Sequence, residues 1–404
     1  MLGYVLKVYP PAPSETFITN EILELGKLGV PFRVFALKQG DLGASTSPSA
    51  LPPALPESIT LVDRSAGGYV RIALAAGEAF LRKPGRFLYL AFKNLLRCDT
   101  GSFKDFLLGA RLSVLVRRRG ISHLHAHYAT ASAQVARYAR LLSGVSYSFT
   151  GHALDIFVGD GKLENVVNDA SFVVTVCDYN KQFLLRKFKS LSEDRVKLVL
   201  CGVDAQRFER RALPRAGRPF VFVSVGRFVE KKGFGYLVKA CEKIRRRGHS
   251  FECLLVGDGP LLGGLREEIR ALGLEDTVSL LGTLPPDKVR GLLETSNAFV
   301  LPCVVASDGD RDSMPVVVKE AMAMELPIIA SREVGIPEML ADGCGVMVPP
   351  RDVKSLSDAM ELFLTTRPEV LAEMGARGRR LVLERFTVGG EVRKLEKLFR
   401  QYVR

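Results

Sequence analysis

Short apolar runs alternate with amphipathic stretches along almost the whole chain. The first run, YVLKV at residues 4–8, is followed by PPAPSET and then by the amphipathic segment FITNEILELGKLG. Further runs lie at 32–37, 123–127, 147–150, 172–177 and 196–200. A second series opens with FVFVSVG at 220–226 and continues at 252–257, 278–282, 298–302, 327–330 and 345–349. Runs this short and this apolar suit strands covered on both faces, and the amphipathic segments between them suit crossover helices. The pattern predicts an α/β fold with parallel sheets, whose ligand crevice is lined by loops leaving the carboxyl ends of the strands.

A length of 404 residues suits two domains of about 200 residues each. ERRALPRAGRP at 209–219 is polar, contains Pro and has no period, so it reads as a linker. The expected division is 1–208, the linker 209–219, 220–388, and a closing helix at 389–404. No run of about 18 apolar residues is free of charge, and the apolar start MLGYVLKV lacks a basic leader. The expected location is the cytoplasm. Seven cysteines without a CxxC pair, mostly inside apolar runs, suit buried thiols in a reducing compartment and no structural zinc.

The formal charge of +13 points to an anionic partner. Much of it lies between residues 71 and 119, where eleven Lys and Arg stand against three acidic residues and six aromatic residues are interleaved. Two readings stay open for this segment. It is either a basic aromatic surface for an anionic membrane or a set of helices with aromatics inside and arginines in water. No nucleic-acid-binding motif is present, so nucleic acid is not expected.

Four stretches carry candidate chemistry. In the first, Ser14, Glu15 and Thr16 precede a helix, where they are either caps or ligand contacts. In the second, His123, His125 and His127 share one strand face, and the next strand ends in FTGHALDIF with Gly151, His152 and Asp155. With no carboxylate or thiolate nearby in sequence to complete a site, the three histidines are not expected to hold a metal. In the third, Gly226, Arg227, Lys232 and Gly233 combine a strand end, two glycines and two cations, which suits a phosphate clamp. Gly257 and Gly259 make only a weak dinucleotide fingerprint, because Leu262 stands where a third glycine belongs. The fourth stretch is SDGDRDSMPVVVKEAMAMELPIIAS at 307–331. A helix starting within a residue of Pro315 would leave the amides of Val316 and Val317 facing an anion, with Ser313 and Met314 beside them and Glu320 one turn in, placed for a vicinal diol.

The spacing from Asp312 to Glu320, followed by Ala321, Met322 and Ala323, resembles the acidic pair of the family 4 glycosyltransferases, which have the GT-B fold. The family usually has Glu at the first position, so Asp312 is a departure. VLKVYPPAPSETFITNEI resembles the start of bacterial exopolysaccharide glycosyltransferases, with Ser-Glu-Thr in place of a Gly-rich loop. FTGHALDIF resembles the family's second N-domain motif, and the Gly-Arg and Lys-Gly pairs its diphosphate clamp. CGVDAQRF at 201–208 resembles its hinge entry. On these residues the chain is identified as a member of family 4, nearest the exopolysaccharide and colanic-acid type.

The resemblance implies two facing Rossmann-like domains, with the acceptor bound by the first and the nucleotide sugar by the second. The last helix would cross back to the first domain. It implies a retaining hexosyltransferase without metal or cofactor, in which Arg227 and Lys232 bind the diphosphate, His152 and Asp312 the sugar, and Glu320 the ribose. Backbone near Thr283 would meet the base. Asp308, Gly309 and Asp310 form a D-x-D string that holds Mg²⁺ or Mn²⁺ in other folds, but here it abuts the helix tip assigned to the donor. The implied partners are a nucleotide sugar and a glycan or lipid-linked acceptor; in the first of the two readings of 71–119, an anionic membrane surface on the inner face of the cytoplasmic membrane is a further one. A sugar-nucleotide epimerase or a non-catalytic nucleotide-binding relative is the alternative.

Overall fold

The structure is a computed structural model that describes residues 1–11, 15–40, 58–62, 65–96, 99–158, 161–211 and 219–403. It divides into two compact units. The first comprises Met1–Val176, Lys181–Leu200 and Glu391–Arg404, and the second Cys177–Asn180 and Cys201–Gly390.

The first unit is built on seven strands: Leu2–Tyr9 (β1), Phe32–Gln39 (β2), Ser58–Thr60 (β3), His123–His127 (β4), Ser146–Gly151 (β5), Phe172–Thr175 (β6) and Val196–Leu198 (β7). They pair in parallel in the order β3-β2-β1-β4-β5-β6-β7. Leu2 of β1 lies opposite Phe32 on one side and His123 on the other, so the order reverses beside β1. One core joins Val5, Phe35, Leu124 and Phe149 to Leu112 and Ala136 of the helices Thr100–Arg118 and Ala131–Ser143. Asp99 starts the first of these helices by accepting from the amides of Gly101 and Ser102, and Gly144, at φ +88°, ends the second.

The last helix, Val388–Arg400, is taken up by the first unit from Glu391 onward. The buried Glu391 carboxylate accepts from the Leu200 amide at 2.8 Å. Phe399 lies against Tyr4, His123, His125 and Phe172, and Tyr402 against His123.

The second unit holds six parallel strands: Phe220–Val225 (β8), Phe251–Val256 (β9), Val278–Leu280 (β10), Ala298–Leu301 (β11), Ile328–Ser331 (β12) and Gly345–Val348 (β13). Their order is β10-β9-β8-β11-β12-β13, with the reversal between β8 and β11. Residues 201–208, read from sequence as the end of the first domain, pack with this unit. The Val203 amide donates to the Phe386 carbonyl at 2.8 Å, and Lys319 Nζ donates to the Cys201 carbonyl. Most of the linker at 209–219 lies outside the described residues.

The basic aromatic segment resolves into parts with different environments, although Arg97 lies outside the described residues. Thr100–Arg118 is core: Phe106 is buried, and buried Arg111 donates through Nη1 to the Leu61 carbonyl. The helices Ala66–Arg82 and Pro84–Leu96 are two-sided. Phe87, Leu90 and Asn94 face inward, and Asn94 Oδ1 accepts from the Tyr138 hydroxyl at 2.7 Å. Leu88, Tyr89, Phe92, Leu95 and Leu96 face out. Among the described residues no helix is long and apolar enough to cross a membrane.

Candidate active site

In the second unit, the reversal between β8 and β11 brings together the loops that leave their carboxyl ends, 226–233 and 302–312. Gly233 permits the contact. It sits at φ +70°, and a Cβ there would lie 1.9 Å from the Pro302 carbonyl oxygen. Beyond it the Val304 amide donates to the Lys231 carbonyl at 2.9 Å, and the Ser307 amide and hydroxyl donate to Glu230 at 3.0 and 2.7 Å.

The joined loops carry a cluster of ions. Lys232 Nζ lies 2.6 Å from Asp312 Oδ2, while Lys231 Nζ lies 3.5 Å from Asp312 Oδ1 and 2.9 Å from Asp310 Oδ2. Burial works against both charges of the central pair. The two lysines nonetheless hold the Asp312 carboxyl below its ordinary pKa, and Asp312 raises that of Lys232. Arg227 is exposed, and its side chain makes no hydrogen bond or ion pair among the described residues. The carbon stem of Lys232 runs across Gly226, where a Cβ would lie 3.3 Å from it. Asp310 is held by Lys231, and Asp308 Oδ1 accepts from the Asp310 amide at 2.8 Å, so the D-x-D string does not offer two open carboxylates.

The helix beside this cluster spans Val316–Ala323 with Pro315 at its N-cap. Val316 and Val317 are half-buried in its first turn. Ser313 and Met314 are buried supports for the tip: Asn180 Nδ2 donates to Ser313 Oγ at 2.8 Å, and the Gly335 amide donates to the Ser313 carbonyl at 2.8 Å. Glu320 follows one turn in. Burial pushes its carboxyl up to about 7, against the opposing pull of Arg207 and Lys319. Thr283 is exposed on the loop after β10, next to Gly282, whose carbonyl accepts from the Gly257 amide at 2.9 Å. Gly257 and Gly259 serve close packing, since a Cβ on either would strike the Gly226 or Phe228 carbonyl oxygen at 2.0 or 2.5 Å.

In the first unit the β4 histidines form a ladder with β5. His123 reaches Ser146 and Ser148 at 2.7 and 2.8 Å, and His125 reaches Ser148 and Thr150 at 2.8 and 3.0 Å. Ligand atoms of Glu21, His125 and His127 lie within 4.8 Å of one another, but both ring nitrogens of His125 are already engaged by hydroxyls. His127 contacts His152 Nε2 at 3.3 Å and Glu21 at 3.0 Å. Gly151 ends β5, packed against Ile156. Asp155, read from sequence as a substrate contact, directs its oxygens to the amides of Ala129, His152 and Ala153 at 2.8, 3.0 and 3.0 Å, and so holds the His152 loop. Glu15 accepts from the Tyr128 hydroxyl at 2.9 Å, Thr16 begins the helix Thr16–Lys27, and Ser14 lies outside the described residues.

Residues 205–381 match the family model described as Glycosyl transferases group 1. This part of the chain is a group 1 glycosyltransferase domain. Likeness to known proteins runs further than the group 1 domain. The chain is 28% identical over 397 residues to WcaL of Escherichia coli (strain K12), which carries a provisional designation as a colanic acid biosynthesis glycosyltransferase; the match covers 94% of this chain and 95% of that protein. It is 27% identical to the amylovoran biosynthesis glycosyltransferase AmsK of Erwinia amylovora, with 86% of each chain covered. The crystal structure of Anabaena HepE in complex with UDP-glucose superposes with a TM-score of 0.71 at 16% identity, covering 99% of this chain and 100% of that one. The fold is GT-B, with two parallel-sheet Rossmann-like units.

Sequence reasoning overlooked two residues that these clusters contain, Lys231 and Glu21. Lys231 of the group 1 domain was hidden beside Lys232. Glu21 interrupts the apolar stripe Ile18, Ile22, Leu25 of its helix, and a carboxylate on a core-facing stripe was the available signal. The raised pKa of Glu320 yields a stability prediction with a definite sign. The native state holds a proton that the unfolded chain releases between about 4.5 and 7, so stability conferred by the protonated form is lost as pH rises through that window. Glu320→Gln should therefore unfold at higher urea than the parent at pH 8, and the gap should close toward pH 4.5. A gap independent of pH would show that Glu320 is not the titrating group.

Proposed function

We propose that the protein transfers a hexosyl group, with retention of configuration and without a metal, from a nucleoside diphosphate sugar to a hydroxyl of a glycan or lipid-linked polysaccharide precursor. The observation that carries this reading is the cluster at the switch point of the second unit, where Lys232 pairs with Asp312 ahead of the helix tip at Pro315 and Arg227 is exposed on the same loop as Lys232. In this reading these groups meet the departing diphosphate with positive charge, the kind of electrostatic stabilisation that contributes most to such a reaction. In the reaction the anomeric C–O bond to the β-phosphate breaks, a C–O bond to the acceptor oxygen forms, and the hydroxyl proton passes to the departing phosphate. Arg227 and Lys232 hold the diphosphate, Glu320 takes the ribose hydroxyls, and Asp312 and His152 meet the sugar. The relatives in colanic acid and amylovoran biosynthesis support a polysaccharide precursor as acceptor, and the UDP-glucose held by HepE makes a UDP-sugar the first donor to try.

An anionic membrane surface is the second partner in this reading, carried by a narrower stretch than residues 71–119. On the helix Pro84–Leu96, Tyr89, Phe92, Leu95 and Leu96 are each 60–67% exposed, on the side away from the core. Residues 65–96 carry five Lys and Arg against one acidic residue, Glu78. Glu78 is itself bound by Arg82 and Arg118. An apolar ridge with a cationic border fits a lipid interface whose headgroups are negative.

Incubation with labelled UDP-sugars, with and without lipid-linked acceptor extract, tests the transfer reading. Label should move to the acceptor, and EDTA should leave the rate essentially unchanged. Epimerised nucleotide sugar formed without acceptor would overturn transfer, and activity lost to EDTA and restored by Mg²⁺ or Mn²⁺ would overturn the metal-free form.

The roles of individual residues separate in a second measurement. Arg227→Ala should weaken UDP binding on the order of 10- to 100-fold, the worth of one or two charge-assisted hydrogen bonds. His152→Ala should bind UDP nearly as the parent does and lose most of its turnover. Calorimetry that finds both variants equally impaired for UDP would refute this division of labour.

For the membrane, the protein should co-sediment with phosphatidylglycerol vesicles at low salt and release as salt rises, since the Debye length is about 10 Å at 0.1 M. The double variant Leu88→Ser with Phe92→Ser should bind less at every salt concentration. Equal binding to neutral and anionic vesicles, or binding to neither, would return this face to another use.

A further inference from the structure

We propose that Lys231 is a positioning residue for the donor: it holds the carboxylates of Asp310 and Asp312, so that neither competes with a diphosphate for Lys232. This role rests on the donor reading of the same cluster given above.

Lys231 and Lys232 follow one another in the short 3₁₀ turn Glu230–Lys232, which Gly233 ends at φ +70°. The Lys231 carbonyl accepts from the Val304 amide at 2.9 Å, so the turn is tied to the loop that carries both aspartates. The two lysines meet Asp312 on different oxygens: Lys232 Nζ lies 2.6 Å from Oδ2 and Lys231 Nζ 3.5 Å from Oδ1. Lys231 also reaches both oxygens of Asp310, at 3.1 and 2.9 Å. Asp310 is fixed by its own tight loop, since its amide donates to Asp308 Oδ1 at 2.8 Å and its carbonyl accepts from the Ala306 amide at 2.8 Å. Behind Asp312 lies the buried thiol of Cys303, 3.6 Å from Oδ2. Burial, and after it the Asp312 carboxylate, hold that thiol above its ordinary pKa, so it stays protonated and donates.

Charge balance gives Lys231 its role. The four side chains of the cluster are only 14–19% exposed, so water screens them poorly. The nearest cation to Asp312 is Lys232, and a diphosphate that draws on Lys232 becomes a second anion on the same ammonium. One cation between two anions leaves them to repel each other, and the neutral Cys303 thiol cannot offset that, whereas a second ammonium can. Lys231 already lies within ion-pair reach of Asp312 Oδ1 and spans Asp310 at the same time. Without it, two carboxylates would turn on Lys232 alone. A direct contact of Lys231 with phosphate is the competing role, and removing the carboxylates tells the two apart.

Calorimetry with UDP, and with GDP, ADP and dTDP in the same series, makes the test. Lys231→Met should weaken binding of the diphosphate that the parent takes by roughly 10-fold, a coupling usual within one ion-pair network. Lys231→Arg, which keeps the charge, should recover most of that loss. In a background that carries Asp310→Asn and Asp312→Asn together no carboxylate is left to hold, so adding Lys231→Met should change the affinity by less than about 3-fold. The full loss persisting in that background would mean that Lys231 binds phosphate itself, and would refute the positioning role. A folded Lys231→Met variant that binds as the parent does would refute it as well. Should Lys231→Met not fold, the double-Asn variant decides: relieved of two competing carboxylates, it should bind the diphosphate at least as tightly as the parent, and weaker binding would sink the idea of competition. A parent that binds none of the four diphosphates would count against the donor reading, and the role of Lys231 would fall with it.

Discussion

The approach of backbone to backbone at Gly233 and Pro302 is the constraint on which the second unit's site depends. With no side chain at Gly233, the loop after β8 lies flush against the end of β11, and the two loops join through the Val304 amide and the Glu230 carboxylate. Only then do Lys231 and Lys232 come within ion-pair reach of Asp310 and Asp312. Two lysines and two aspartates in so small a volume nearly neutralise one another, which is how charges so close to a core are tolerated. Arg227 adds a cation with no such partner, and the helix tip at Pro315 adds a partial one.

The first unit pairs its polar groups chiefly through hydrogen bonds. Its reversal beside β1 places four histidines, two serines, a threonine and Tyr4 near the sheet, and nearly all of them are paired by hydrogen bonds. The closing helix seals the ladder with Phe399 and Tyr402. Sealing raises the cost of charging any ring, and His123, His125 and His152 are accordingly held below the ordinary histidine range by burial. Buried, mutually hydrogen-bonded donors and acceptors in the first unit thus contrast with the ionic cluster of the second.

The helices Ala66–Arg82 and Pro84–Leu96 obey different physics on their two sides. Inward, Phe87 and Leu90 pack on Phe106, and buried Asn94 is satisfied by Tyr138 and by the Leu90 carbonyl. Outward, Leu88, Tyr89, Phe92, Leu95 and Leu96 are exposed among the described residues.

The parallel α/β architecture and the candidate residues of the second unit's cluster were written in local pattern. Apolar runs of strand length, the paired glycines at 226 and 233, the cations at 227 and 232 and Pro315 ahead of VVVKE each act over a few residues, so the sequence determined them by itself. Three matters were decided by tertiary structure. The polar direction of Asp155 depends on amides from Ala129 as well as from its own loop, and this turns a plausible substrate contact into a backbone anchor. The division of the basic aromatic segment into core and surface depends on which helices lie over the sheet, since aromatics read alike on either side of a helix. The partnership of Glu21 with His127 spans 106 residues of chain. Local periodicity fixes which face of an element is apolar. Which distant atoms meet a polar group is set by strand order and crossover packing.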